Sequence, residues 1–386
     1  MAAVARQDAR TLKRRDWIGA AAALAASAAL RRAEAATEAA AAPAPDGLDA
    51  SVLRLHLRHT WTTTMSSSDY RDTLELRFTR EGTTGIGAGA PIVRYQENAA
   101  DGRQALEAVK PLARSADPWR LESFLSDAFR KLESQYAARA ALDIALHDWT
   151  GKRLGIPVYR LLGLDPADAP LTTFSIGIDT PEITRQKVRE AAAYPVLKIK
   201  VGLETDEPTI EAVRSVTGKP LRVDANEGWK DKETAIRKLE WLAGKGVEFI
   251  EQPMPAAMLE EQAWLKARSP LPIFADESCL RAADIPKIAP AYHGVNVKVD
   301  KAGGLREALR MIHVARACNL KILLGCMVSS SVSTTAAASL SPLVDFADLD
   351  GHLLVSDDPW EGVLVREGRL VLPDRPGLGL VPRRVS

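Results

Sequence analysis

From Leu171 onward, short apolar runs recur with helical stretches between most of them. The runs are LTTFSIGI, VLKIKV, LRVDAN, VEFIEQP, PIFADES, GVNVKVD and KILLGCM. TPEITRQKVREAAA, DKETAIRKLEWLAGKG and GGLREALRMIHVARACN separate them, with apolar residues at helical spacing. Strands alternating with helices at this pace form βα units, and βα units build a parallel sheet. Seven such units, with an eighth around LVDFADLD, predict a (β/α)₈ barrel. In that architecture the chemistry sits at the C-terminal ends of the strands.

The remainder of the chain reads differently. SVLRLHLRHTWTTT and TLELRFTREG alternate apolar and polar residues, as half-buried strands do, and EGTTGIGAG reads as a hairpin turn. GIGAG lacks the Lys-Ser/Thr of a P-loop and the spacing of a dinucleotide fingerprint. In ESQYAARAALDIALHDWTGKRLG, Ala137, Ala141, Ile144, Ala145 and Trp149 recur at three- and four-residue intervals, with Gly151 as an expected stop. Strands followed by helices predict an α+β domain. With 386 residues, 46% of them hydrophobic, the chain can hold two domains. The expected division is an α+β capping domain over 48–165 and a barrel over 166–352. A C-terminal segment, 353–386, would return to the cap through short strands and Pro/Gly turns.

The first residues do not read as part of either domain. Arg14-Arg15 precedes a 14-residue apolar run, Trp17 to Leu30, and Ala33-Glu34-Ala35 follows. That run is short of the about 20 residues a membrane span needs. The pattern resembles a twin-arginine (Tat) export signal over 1–36, followed by a linker over 37–47. The expectation is a periplasmic protein that meets the Tat machinery once and carries no membrane segment in its mature form. Removing 1–36 takes away seven Lys/Arg and three Asp/Glu, moving the formal net charge from +1 to −3. With 51 basic and 50 acidic residues, the whole chain has no nucleic-acid footprint. Cys279, Cys318 and Cys326 are odd in number and show no CxxC spacing. A protein folded before export need not depend on disulfides, and Cys318 and Cys326 read as small buried hydrophobes.

Charged residues end the barrel strands. Asp224, Glu251 and Asp276 follow LRV, VEFI and PIFA, 27 and 25 residues apart, about one βα unit each. Any one of them could be a helix N-cap. Three in register would repel one another unless a cation lay among them, and three oxygen ligands with open positions suit Mg²⁺. Lys198 and Lys200 alternate with Leu197 and Ile199, so both point to one face of their strand, and Lys298 ends the strand after Asp276. In a closed barrel, Lys200 and Lys298 face each other across the mouth. This arrangement suits removal of a proton α to a carboxylate through a metal-stabilised enediolate, with a lysine of depressed pKa as the base.

LKIK, VDAN, IEQP, ADES and NVKVDKAGG stand in an order and at a spacing that resemble the muconate-lactonizing subgroup of the enolase superfamily. So does ALDIALHDWTGKRLGIPVYRLLG in the cap. The likeness runs over about residues 50–383. It implies that Asp224, Glu251 and Asp276 hold one Mg²⁺ per subunit and that Lys200 and Lys298 are the acid/base pair. Lys198 would then contact the substrate carboxylate. In dipeptide epimerases of this family a DxD pair after the eighth strand binds the α-ammonium, and FADLDG places Asp348 and Asp350 there. Ser175 and the Cys326–Ser330 segment are expected to line the same pocket.

The implied activity is epimerisation of a dipeptide at its C-terminal residue by two-base 1,1-proton transfer. Open alternatives are an N-acylamino acid racemase or cycloisomerase on the same scaffold, or a periplasmic peptide-binding protein without catalysis. Assembly into a homo-oligomer stays open too. One departure stands out. Epimerases acting on Ala-Glu carry an arginine in the mobile cap loop where this chain has Met65, and Arg71 looks out of register, which hints at a neutral second residue. Ala88 stands where relatives often have Glu, and no function is drawn from it.

Overall fold

The computed structural model describes residues 45–383, so the expected export signal and most of the linker lie outside the described residues. Three strands open the chain: β1 (Gly47–Thr62), β2 (Ser67–Arg80) and β3 (Thr83–Gly89), an antiparallel meander in that order. Leu48, Ala50 and Val52 of β1 stand opposite Phe78, Leu76 and Leu74 of β2. Side chains alternate along a strand, so these six share one face. All but Val52 join a core completed by Phe124, Leu125, Leu132 and Trp149 of the helices Leu121–Leu132 and Tyr136–Leu154.

Two glycine readings change here. GIGAG is not a turn; the turn is Glu81-Gly82, and GIGAG is the body of β3. Gly85, Gly87 and Gly89 share a face that lies directly on the helix Tyr136–Leu154. A Cβ on them would come within 2.0, 1.9 and 1.9 Å of the carbonyl oxygens of Ala145, Ala141 and Ala137. Small residues at i and i+4 on the helix meet glycines at i and i+2 on the strand, and the two backbones touch. Ile86 and Ala88, on the other face, enter the barrel's core. Gly151 is no stop either: the helix continues to Leu154 and ends at Gly155, whose φ of 73° is the left-handed cap conformation. Replacing Gly87 by alanine is expected to cost about 3 kcal/mol or more, because only backbone can yield. A urea midpoint equal to wild type would show that the helix can retreat.

Eight parallel strands follow in sequence order: β4 (Phe174–Ile176), β5 (Leu197–Lys200), β6 (Leu221–Asp224), β7 (Val247–Glu251), β8 (Ile273–Ala275), β9 (Gly294–Lys298), β10 (Lys321–Gly325) and β11 (Phe346–Asp348). A parallel bridge between Thr172 and Ala347 brings the last strand to the first, completing the expected barrel. Outward residues such as Leu197, Ile199, Val223 and Val297 pack with the surrounding helices. Inward residues form two layers. The lower is aromatic: Phe249, Phe274 and Leu323 pack with Phe346, and the Arg222 guanidinium lies over Phe249 and Phe346 at 5.4 and 4.9 Å. The upper layer is charged. The aromatic layer is therefore a floor beneath the charged one.

Hydrogen bonds link the C-terminal segment to the cap. Trp360 Nε1 donates to Glu75, Ser356 N to the His56 carbonyl, and Leu378 N to the buried Asp148. Among the described residues no helix is long and apolar enough to cross a membrane.

Candidate active site

Strand register places the site. β5, β6 and β7 pair so that Lys200 stands beside Asp224, and Asp224 beside Glu251. Each is the inward residue at its strand's C-terminal end. Asp276 follows β8 directly. Ligand-capable oxygens of Asp224, Glu251 and Asp276 all lie within 4.8 Å of one another, and all three residues are buried. Four ammonium groups surround them. Lys198 Nζ is 2.6 Å from Asp348, 2.8 Å from Glu251 and 3.2 Å from Asp224. Lys200 is 2.5 Å from Asp224; Lys298 and Lys301 are each 2.6 Å from Asp276. Lys200 and Lys298 rise from β5 and β9, the second and sixth of eight strands, and so from opposite walls.

The lysines line the cavity at the barrel mouth and are nonetheless buried. Lys198 and Lys200 are only 2% and 7% exposed. Their strand tolerates this because acids meet both ammonium groups: Asp348, Glu251 and Asp224 around Lys198, and Asp224 with the Asn226 amide at Lys200. The expected depression of a lysine pKa is not seen at Lys198 or Lys298. Burial pushes both down, but the carboxylates outweigh it: Asp348, Glu251 and Asp224 around Lys198, Asp276 and Glu251 near Lys298. Both are held above the usual lysine value. The acids divide. Burial opposes the charge of Asp276, yet Lys298 and Lys301 hold it well below the ordinary range. Burial and Asp224 push Glu251 up to about 7.

The three carboxylates fit a divalent cation. Glu251 Oε2 is buried and has no aligned hydrogen-bond donor, although Lys198 Nζ is near it, while Asn296 Nδ2 donates to the other oxygen at 2.7 Å. A hard, oxygen-only donor set of this kind suits Mg²⁺.

A cavity of about 500 Å³ lies over the upper layer, bounded by Lys200, Lys298, Asp348 and Asp350 and, from the cap side, by Met65 and Tyr95. Asp348 ends β11 and Asp350 follows two residues later. Ser175 bridges them: its N–H donates to Asp350 Oδ2 at 2.5 Å and its hydroxyl to Asp348 Oδ1 at 3.3 Å. Burial works against the charge of Asp348, but Lys198 and Thr173 bring it down to about 2. Burial and Asp348 together push Asp350 up to about 7. Of the segment after β10, Cys326, Met327 and Val328 line the cavity, whereas Ser329 and Ser330 do not. Cys326 is more than a packed hydrophobe. Its thiol takes the Gly351 N–H at 3.2 Å and donates to the Asp348 carbonyl at 3.3 Å, pinning the turn that carries both acids. All three cysteines are free thiols.

Some residues of the site were not singled out from sequence. Asn226 accepts from Lys200 at 3.1 Å and donates to Glu277 at 3.1 Å. Lys301 bonds both the carboxylate and the carbonyl of Asp276. Both lie in motifs already noted, VDAN and NVKVDKAGG, but nothing in the spacing separates a supporting amide or ammonium from a surface one.

The cap and the barrel each match a known family. Residues 52–163 match the mandelate racemase / muconate lactonizing enzyme N-terminal domain, and residues 183–385 match the enolase C-terminal domain-like family. The chain belongs to the enolase superfamily. This superfamily member is 42% identical over 328 residues to the L-Ala-D/L-Glu epimerase of Bacteroides thetaiotaomicron, covering 85% of each chain. It is also 42% identical over 330 residues to the L-Ala-D/L-amino acid epimerase of Pedosphaera parvula, covering 83% of this chain and 94% of that one. Its structure is similar to the dipeptide epimerase of Enterococcus faecalis complexed with Mg and L-Leu-L-Tyr. The TM-score is 0.81 at 29% identity, over 87% of this chain and 99% of that chain.

Proposed function

We propose that the protein is a Mg²⁺-dependent dipeptide epimerase that inverts the α-carbon of the C-terminal residue by two-base proton transfer. One observation carries the reading: a paired-carboxylate pocket, Asp348 and Asp350, opens into the same cavity as two lysines on opposite barrel walls. When bound by Asp224, Glu251 and Asp276, Mg²⁺ supplies positive charge at the substrate carboxylate and eases loss of the neighbouring proton. The remaining roles belong to side chains. Asp348 and Asp350 receive the substrate ammonium, with Ser175 holding both. Lys198 Nζ, amid three acids, orients the carboxylate end.

Lys200 and Lys298 flank the α-carbon from its two faces. Once engaged by the metal, Asp276 and Glu251 would no longer hold Lys298 so firmly as ammonium. One lysine, as the neutral amine, then takes the α-proton at Nζ, while the other, as ammonium, delivers a proton to the opposite face, and the configuration inverts. General acid–base help is worth ~10²–10⁴-fold, about 3–5 kcal/mol of the ~8–23 kcal/mol enzymes supply. The charged, water-poor setting above the aromatic floor must contribute the rest.

The deciding experiment is a dipeptide library in D₂O with Mg²⁺ present. Exchange of the C-terminal α-proton accompanied by epimer formation is expected. No exchange from any dipeptide would sink the proposal, and faster exchange from N-acylated amino acids would put a racemase in its place. The pH profile offers a second check. Asp350, lifted to about 7, is neutral below that pH and anionic above it, and only the anion pairs with an ammonium. Accordingly kcat/KM is expected to fall as pH drops below about 7, while kcat, read with the ammonium already bound, moves less. Asp350→Asn should abolish that limb.

Export by the twin-arginine route belongs to the same proposal, supported by Arg14-Arg15, the short apolar run and Ala33-Glu34-Ala35. A periplasmic protein would meet peptides released from the wall or the diet. Amino-terminal sequencing of the protein from a periplasmic fraction tests this; recovery only from cytosol with Met1 intact would count against it.

A further inference from the structure

Five cationic side chains line the cavity: Arg71, Arg94, Lys198, Lys200 and Lys298. Four are committed to acids. Arg94 makes a forked pair with Glu227 at 2.7 and 3.2 Å, and the lysines hold Asp348, Asp224 and Asp276. Arg71 is the exception. Its Nη1 donates to the carbonyl of its neighbour Tyr70 at 3.0 Å, and among the described residues it pairs with no carboxylate.

Backbone register fixes where Arg71 points. It stands opposite Leu55 on β1 and two residues before Thr73. Leu55 and Thr73 are both buried on the side of β1 and β2 that faces the barrel. Tyr70 and Asp72 take the other face, where Asp72 pairs with Arg54 at 2.8 Å and Arg54 lies over the Tyr70 ring. The Arg71 guanidinium is thus turned toward the barrel mouth. Burial there lowers its pKa from the usual value, with no acidic neighbour among the described residues to offset the loss of water. A half-buried guanidinium left without an anion is uncommon, since desolvation is normally repaid by a paired acid.

We propose that Arg71 receives a side-chain carboxylate of the substrate, so that acidic dipeptides are the preferred class. This rests on the dipeptide reading above. A dipeptide has one backbone carboxylate, assigned to Lys198 and the Mg²⁺ that the acidic triad would hold, and one ammonium, assigned to Asp348 and Asp350. A further unpaired cation in the cavity therefore calls for an anion from a side chain. The guanidinium fork keeps enough N–H groups free to take a carboxylate with two parallel bonds. Met65, at the loop tip and 38% exposed, does not oppose this assignment: the cation comes from β2, not from the loop.

The test uses dipeptide pairs differing only in side-chain charge: L-Ala-L-Glu against L-Ala-L-Gln, and L-Glu-L-Ala against L-Gln-L-Ala. Exchange in D₂O is expected to favour the acid by about 10- to 100-fold in kcat/KM in one pair, which also shows which residue carries it. In Arg71→Met the ratio should collapse to about 1, chiefly through KM, and Arg71→Lys should recover part of it. Calorimetric binding of the same four peptides reads the preference without turnover. If nothing is turned over, but the acid still binds better to wild type and not to Arg71→Met, the epimerase reading fails while Arg71 keeps its role. A wild-type ratio near 1 in both pairs overturns the proposal whether or not the variants fold. So does a preference that survives in Arg71→Met.

Discussion

Replacing Lys298 by alanine is expected to lower the rate of epimerisation by about 10³-fold while leaving α-proton exchange in D₂O measurable from one epimer only. The reason is geometric. Lys298 and Lys200 stand on the sixth and second strands of an eight-stranded barrel, so each reaches one face of an α-carbon held between them. Without Lys298, Lys200 can still remove and return a proton on its own face, but nothing delivers a proton opposite. The reciprocal variant, Lys200→Ala, should exchange the other epimer. Folding is not expected to fail in Lys298→Ala, because Asp276 keeps Lys301 at 2.6 Å. Following deuterium incorporation separately into both epimers decides the matter. A variant that still interconverts both, or exchanges both equally, would rule out a two-base mechanism.

Glu251→Gln is expected to remove activity more completely, by about 10⁴-fold or beyond, together with the protein's response to Mg²⁺. Electrostatic stabilisation is usually the largest part of such a rate enhancement, and here it depends on three buried oxygens closing on one ion. Binding can be read apart from catalysis. A ligand held only by the folded state stabilises it by about 2.7 kcal/mol at one hundred times its dissociation constant, which raises the melting temperature by a few degrees. Wild type should show that rise with Mg²⁺ and lose it with a chelator. Glu251→Gln should fold without metal, since Lys198 retains Asp348 and Asp224 and the exchange removes one of three crowded negative charges. It should show no rise. A full Mg²⁺ shift in this variant would mean the metal lies elsewhere.

The fold was largely legible because its signals are periodic. Leu197 and Ile199 alternate with Lys198 and Lys200, and the same alternation in LRVD and GVNVK says which residues face the helices and which face inward. The spacing of Asp224, Glu251 and Asp276 follows from the βα repeat, so three neighbouring strands had to present them side by side. GIGAG was misread because glycine favours turns and also allows close backbone approach, and local sequence does not separate the two. Its answer lay 48 to 60 residues away, in the small residues Ala137, Ala141 and Ala145.

The order of strands, the acids at their ends and the two lysines on one face of LKIK are all readable from the chain. These are consequences of a period of two in strands and a repeat near 25 residues, both local. Long-range packing fixes how far Lys198 is buried, that Lys301 and Asn226 stand behind the site, that Ser175 joins Asp348 to Asp350, and that Arg71 meets no carboxylate among the described residues. Each of those depends on distances between residues far apart in the chain, and Coulomb energies and desolvation vary with those distances rather than with residue type.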